Sequence, residues 1–288
     1  MRNPCSFTCP SFHFITAPIE LALTDIPEAI FSAEDRARKP LDAHGWWQRR
    51  GKDDSCFYEG LEAALQSIAL ALEQQGPFDG IMGFSQGGTA AAIVASSLEP
   101  GRGSHFSIAQ REGGMPYPHS HRSEHPPLRF AIACSGSRAS ENPLYTAFYE
   151  PKIATPTYRL LGHSDNVANE ARPLDLVRAC LDGYGKPDGA SRVSHHSEGH
   201  VLPADSAHHA AALAEFIRES IRTNIKCGVT SSCSFAKYTR RMQDIVCPFV
   251  YMPRRLGSDY RTKDSLMYPY LPKTHGTSLP SSRTGDNY

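Results

Sequence analysis

A five-residue pattern, Gly83-Phe84-Ser85-Gln86-Gly87, constrains this chain more than any other feature. It ends an apolar run over 78–84 and precedes a small-residue stretch over 89–97, so the local order is strand, sharp turn, helix. A turn that tight strains its central residue and brings backbone against backbone, which is why Gly83 and Gly87 flank it where a side chain would collide. A nucleophile elbow of this kind sets the serine hydroxyl at a helix N-terminus. Free amides and the helix dipole there favour developing negative charge, and the Gln86 amide becomes one oxyanion donor. The same residues also read as a tight turn around an inert serine; the flanking strand and helix favour the elbow.

A serine hydroxyl is a weak nucleophile at neutral pH and needs a base, which in turn needs a carboxylate to fix its tautomer. The chain order serine, acid, histidine selects candidates for both. His200, in Glu198-Gly199-His200-Val201-Leu202-Pro203, lies in a loop before the last amphipathic helix and is the expected base. Thirteen histidines make any single one unremarkable, and His195, His196, His208 and His209 are expected to be solvated. Asp165, in Leu161-Gly162-His163-Ser164-Asp165-Asn166, follows a strand end and precedes a helix, where a triad acid belongs. A helix-capping role is its alternative, with Asp175 and Asp182 as weaker candidates for the acid. His119, His121, Glu124 and His125 have the chemistry of a metal site but fall in a Pro/Ser-rich loop, so a solvated segment and no metal is expected.

The rest of the chain alternates strands and helices. Strands are predicted at 12–15, 78–84, 128–134 and 157–161. Phe57, Leu61, Ala64, Leu65, Ile68 and Leu72 mark a helix, capped at its start by Asp54 or Ser55 and stopped by Gly76-Pro77 through a left-handed glycine turn. Leu174, Val177 and Leu181 mark another, and Leu213, Phe216, Ile217 and Ile221 a last one. The segment 100–127 is too polar for core and reads as an excursion from it. This order implies an α/β class with a mainly parallel sheet covered on both faces. Residues 1–11 are expected to be a flexible N-terminus, 12–223 the folded domain, and 224–288 a disordered tail. From Asn224 onward ten Lys/Arg stand against four Asp/Glu, a net of +6 that leaves −6 for residues 1–223.

Over the whole chain 30 basic residues balance 30 acidic ones, which gives no reason to expect nucleic acid or an anionic membrane as partner. The eight cysteines lack CxxC pairs and zinc-type spacing, so reduced thiols are expected. No apolar run is long enough for a secretory signal or a membrane span, and a cytoplasmic location is expected.

Together with the run Gly76-Pro77-Phe78-Asp79-Gly80-Ile81-Met82-Gly83-Phe84-Ser85-Gln86-Gly87-Gly88, these spacings resemble the fungal family of serine hydrolases (FSH) in the α/β-hydrolase superfamily. Further landmarks of the resemblance are Ala17-Pro18, Trp46-Trp47, Tyr58-Glu59-Gly60, the strand over 130–136, and Gly199-His200-Val201-Leu202-Pro203. It covers residues 12–222 and implies an α/β-hydrolase-type three-layer sandwich with Ser85, Asp165 and His200 as the triad. It also implies hydrolysis of carboxylic esters or thioesters without a cofactor. The acyl donor would be a small-molecule ester or acyl thioester, extending to a carrier-protein-bound acyl chain as in polyketide-releasing relatives of secondary metabolism. Trp46 and Trp47 fall where such proteins line the acyl pocket, though a purely core role is the even alternative. The family opens with a strand and a His-Gly loop that nothing before Phe12 supplies. The expected sheet therefore lacks a central strand between 12–15 and the strand entering Ser85, and with it one oxyanion amide. The alternative function is thus an N-terminally truncated, catalytically inactive hydrolase-like scaffold.

Overall fold

The structure, a computed structural model, describes residues 12–22, 43–52, 56–118, 125–165, 167, 171–181, 192–203, 207–222 and 250–253. All fall within the first of two compact units, Met1–Leu256; the second, Gly257–Tyr288, lies outside the described residues. In chain order the elements are β1 (Phe12–Ile15), β2 (Ile19–Glu20), β3 (His44–Gly45), β4 (Gln48–Arg50), β5 (Phe57–Glu59), α1 (Leu61–Gln75), β6 (Gly80–Phe84), α2 (Gln86–Ser97) and α3 (Arg102–Ala109). There follow β7 (Phe130–Cys134), β8 (Thr157–Gly162), α4 (Ala171–Arg178), β9 (Val193–His196), α5 (Ala207–Arg222) and β10 (Val250–Pro253).

Six strands form the central sheet in the order β1-β10-β6-β7-β8-β9. From β6 to β9 every neighbouring pair is parallel, with Met82 opposite Ile132 and Cys134 opposite Leu160. Parallel strands joined by crossover helices are covered on both faces and carry apolar residues on both, as β6 and β7 do. Ile81, Ala131 and Ala133 join the core beneath α1 and α2, whereas Met82, Phe130, Ile132 and Cys134 pack on the opposite face with Leu213 and Phe216 of α5. These are the three layers the sequence predicts.

Between β1 and β6 no parallel strand occurs among the described residues. The position is held by β10, antiparallel to both: Phe12 to Ile15 register with Pro253 to Val250, and Gly83 and Met82 register with Val250 and Tyr251. The expected gap is therefore filled, and by four residues of the segment expected to be disordered.

Several local expectations change. The first amphipathic helix starts at Leu61, not near Asp54 or Ser55, which lie outside the described residues; Phe57 belongs instead to β5, paired with β4. Gly60 caps α1 with φ 87°, a left-handed conformation that glycine tolerates best. At the other end Gly76 is extended rather than left-handed, and a side chain is excluded because a Cβ there would lie 2.2 Å from the Leu72 carbonyl oxygen. The polar stretch 100–127 is not wholly outside the core. It contains α3, whose Phe106 is fully buried against Tyr117 and Phe148, and Arg102 is buried where its guanidinium meets Glu99 and the Pro151 carbonyl. Leu181 lies beyond α4 and is exposed, while Leu176 and the predicted Val177 are both fully buried on that helix.

Candidate active site

The elbow is formed as its glycines demand. Ser85 sits at φ 55° and ψ −122°, a conformation L-residues avoid, between the end of β6 and the start of α2. Its N–H donates to the Cys134 carbonyl at 2.8 Å, while its own carbonyl accepts from Gly88 N–H at 3.0 Å and Thr89 N–H at 3.2 Å. A Cβ at Gly83 would fall 1.9 Å from the Gly87 carbonyl oxygen, so the motif spacing is imposed by backbone crossing backbone. One turn on, a Cβ at Gly88 would meet the Gly136 Cα at 2.9 Å, which locks α2 down onto the end of β7.

Three loops at the C-terminal ends of β6, β8 and β9 then bring the predicted polar residues together. His200 Nε2 lies 2.9 Å from Ser85 Oγ, and His200 Nδ1 lies 2.8 Å from Asp165 Oδ2. With the Nδ1 proton donated to the carboxylate, Nε2 is left as the acceptor for the serine hydroxyl. Asp165 is fixed at its other oxygen, Oδ1, by the Val167 N–H at 3.1 Å. The imidazole and carboxylate are both more than nine-tenths buried, and the Phe84 ring lies 5.0 Å from the imidazole. Burial strengthens each of these contacts by excluding water. Asp175 instead pairs with Arg178 within α4, and Asp182 lies outside the described residues.

Around this relay His196 and His209 are less solvated than expected, whereas His195 and His208 are exposed as expected. His196 is buried on β9 and its pKa is lowered by burial, with smaller opposing effects from Glu198 and Asp165. His195 stacks on His163 at 4.8 Å and is lowered by burial and then by that neighbour; His209 is lowered by burial and by His208. His163 and His195, with Ser135 and Asp165, line a cavity of about 180 Å³. His125 is structural as well: its Nε2 accepts the Phe78 N–H at 2.9 Å, while His119, His121 and Glu124 lie outside the described residues. Among the described residues there is no cluster of metal ligands. Cys134 is beside the elbow, but burial pushes its thiol up to about 12, so it remains protonated at neutral pH.

Trp46 and Trp47 are both buried in the core, yet their backbone reaches the elbow. The Gln86 side chain accepts from the Trp46 N–H and donates to the Trp47 carbonyl, both at 2.9 Å. Sequence reasoning missed this link, since a contact 40 residues away leaves no local periodicity.

An α/β domain with a strained serine at a strand-to-helix turn, and a histidine and carboxylate in line behind it, has the architecture of an α/β hydrolase. The profile of the serine hydrolase (FSH1) family matches residues 3–212, and the chain belongs to that family. Its relatives include a Schizosaccharomyces pombe protein named dihydrofolate reductase, 30% identical over 203 residues, and an uncharacterized hydrolase of the same yeast, 31% identical over 218 residues. The matches cover 68% and 72% of this chain but only 38% and 43% of those two proteins. A third relative, the Danio rerio esterase OVCA2, is 32% identical over 175 residues, which is 58% of this chain and 64% of that one. Among the described residues no helix is long and apolar enough to cross a membrane.

Proposed function

We propose that this chain is a serine esterase or thioesterase working through an acyl-enzyme. The observation that carries the reading is the continuous relay from Ser85 Oγ to His200 Nε2, at 2.9 Å, and from His200 Nδ1 to the Asp165 carboxylate, at 2.8 Å. His200 takes the hydroxyl proton as Ser85 attacks the acyl carbon, and Asp165 holds the tautomer and stabilises the imidazolium. The Gln86 N–H, at the first helical position where backbone amides lack intrahelical partners, faces the oxyanion. Protonated His200 then gives its proton to the leaving alcohol or thiol. Water, deprotonated by the same ring, releases the acid in the second half-reaction. No step draws on a cofactor.

The substrates are small-molecule esters or acyl thioesters, a class that includes carrier-protein-bound acyl chains, and reduced Cys56, Cys134 and Cys180 fit a cytoplasmic setting. Labelling by a fluorophosphonate probe tests the core of the proposal. The chain should label, and Ser85→Ala should abolish labelling; no Ser85-dependent labelling would leave a hydrolase-like scaffold instead. Parallel turnover of short p-nitrophenyl esters and of acyl thioesters then decides between the two bond classes.

A further inference from the structure

We infer that the Gln86 side chain is a positioning group that holds the nucleophile elbow, and with it the Gln86 backbone N–H, against the Trp46-Trp47 turn. The inference rests on the reading of Ser85 as nucleophile and of the residue-86 amide as an oxyanion donor. Gln86 follows Ser85 directly and is the first residue of α2. Its amide group makes two hydrogen bonds to one short backbone segment, Oε1 accepting from Trp46 N–H and Nε2 donating to Trp47 carbonyl. A primary amide is the side-chain group that supplies a donor and an acceptor side by side, so the pair fixes the plane of the side chain as well as its reach.

The anchor at the far end is rigid. Trp46 is fully buried and Trp47 nearly so. Trp47 stacks on Tyr58 at 5.1 Å, and Tyr58 stacks on Tyr145 at 4.9 Å. The two tyrosines are themselves pinned: Tyr58 hydroxyl accepts from Ser140 N–H at 3.0 Å and Tyr145 hydroxyl accepts from Tyr58 N–H at 2.6 Å. The Trp46 N–H, already committed to Gln86, serves the turn as an anchor point and not as a donor to the acyl oxygen. Ser85 is strained, and a strained residue keeps its conformation only where its surroundings over-determine it. The clamp supplies that constraint in addition to the Ser85 N–H bond to the Cys134 carbonyl of β7, and it acts on the residue whose N–H must meet the oxyanion.

The experiment compares wild type, Gln86→Met and Gln86→Glu on p-nitrophenyl esters, with every rate divided by the fluorophosphonate titre of active sites. Methionine keeps the length and loses both hydrogen bonds. Its kcat per active site should fall about 10- to 100-fold, short of or reaching the lower end of what outright loss of an oxyanion donor costs, with KM within about twofold. Glutamate keeps the acceptor for Trp46 but sets a carboxylate against the Trp47 carbonyl. Its kcat should fall similarly at neutral pH and recover relative to wild type as the pH drops and the carboxyl regains a donor proton. A structural role alone would lower the melting temperature while leaving kcat per titrated site unchanged, and that result for the Met variant overturns the inference. Should the Met variant not fold, the Glu variant decides: a kcat ratio to wild type that stays at one across pH overturns it equally. Absence of wild-type turnover and labelling is a separate result, which removes the hydrolase reading and this inference with it.

Discussion

The two halves of the central sheet are built on different terms. From β6 to β9 each strand lies parallel to its neighbour, with α2 and α4 formed from the segments that connect them. β6 and β7 are buried along nearly their whole length, and α2 is buried from Gly87 to Ser97. On the other side of β6, two four-residue strands from opposite ends of the chain make up the sheet, β10 registering four residues with β1 and two with β6. The residues proposed to be catalytic are divided accordingly: Ser85, Asp165 and His200 all follow strands of the first half. Geometry accurate enough for proton transfer depends on dense packing close by, whereas the sheet can be completed at long range by backbone hydrogen bonding alone.

The sharpest test of the packed half is Asp165→Asn. The amide can no longer hold the Nδ1-protonated tautomer, so kcat should fall by about 10³- to 10⁴-fold with little change in melting temperature. A loss under tenfold would mean the carboxylate merely caps the turn through Val167. For the other half, a chain ended after Arg222 removes β10 and six registered residue pairs, and should lose on the order of 3 to 5 kcal/mol by denaturant titration. A chain ended after Leu256 should match the full length. Equal stability of all three would dissolve the contrast between the halves. Gly88→Ala should cost about 1 to 3 kcal/mol, because the new Cβ meets the backbone of Gly136 and Cys134 rather than a movable side chain. The smallest effect concerns acid. His195, His196 and His209 are all held below the ordinary histidine value of 6.5, so at lower pH the unfolded chain binds more protons than the folded one. Stability should be fully present above pH 6.5 and decline below it, read as a melting temperature that falls between pH 7 and 5.5. His196→Gln should flatten that decline; an unaltered slope would remove His196 from the cause.

What could be read in the sequence follows the same division. The elbow was legible because glycine spacing records backbone collisions, and β6, β7, β8 and α2 because burial on both faces writes continuous apolar or small-residue runs. That Ser85, Asp165 and His200 come together was legible from chain order and loop position. β9 was not, since Val193-Ser194-His195-His196 has no apolar alternation and is held as a strand by pairing with β8. Phe57 was drawn into a helical pattern by chance spacing, although Gly60 ends the strand before α1 begins. Arg102 and Phe106 hid in a polar stretch because a buried guanidinium is recognisable only through the carbonyls and carboxylate that receive it. β10 had a local signal in the apolar run Phe249-Val250-Tyr251-Met252, set in a segment of disordered composition, but its partners about 170 and 240 positions away were not legible.

The backbone of Ser85 carries one more consequence. A left-handed φ of 55° costs a residue with a side chain on the order of 1 to 3 kcal/mol, and glycine would occupy it with far less strain. The hydroxyl is thus kept against a standing preference of the fold for its loss. Natural drift under selection for a folded chain alone would run toward glycine at this position, and a serine that persists there in descendants marks lineages in which the hydroxyl itself is under selection.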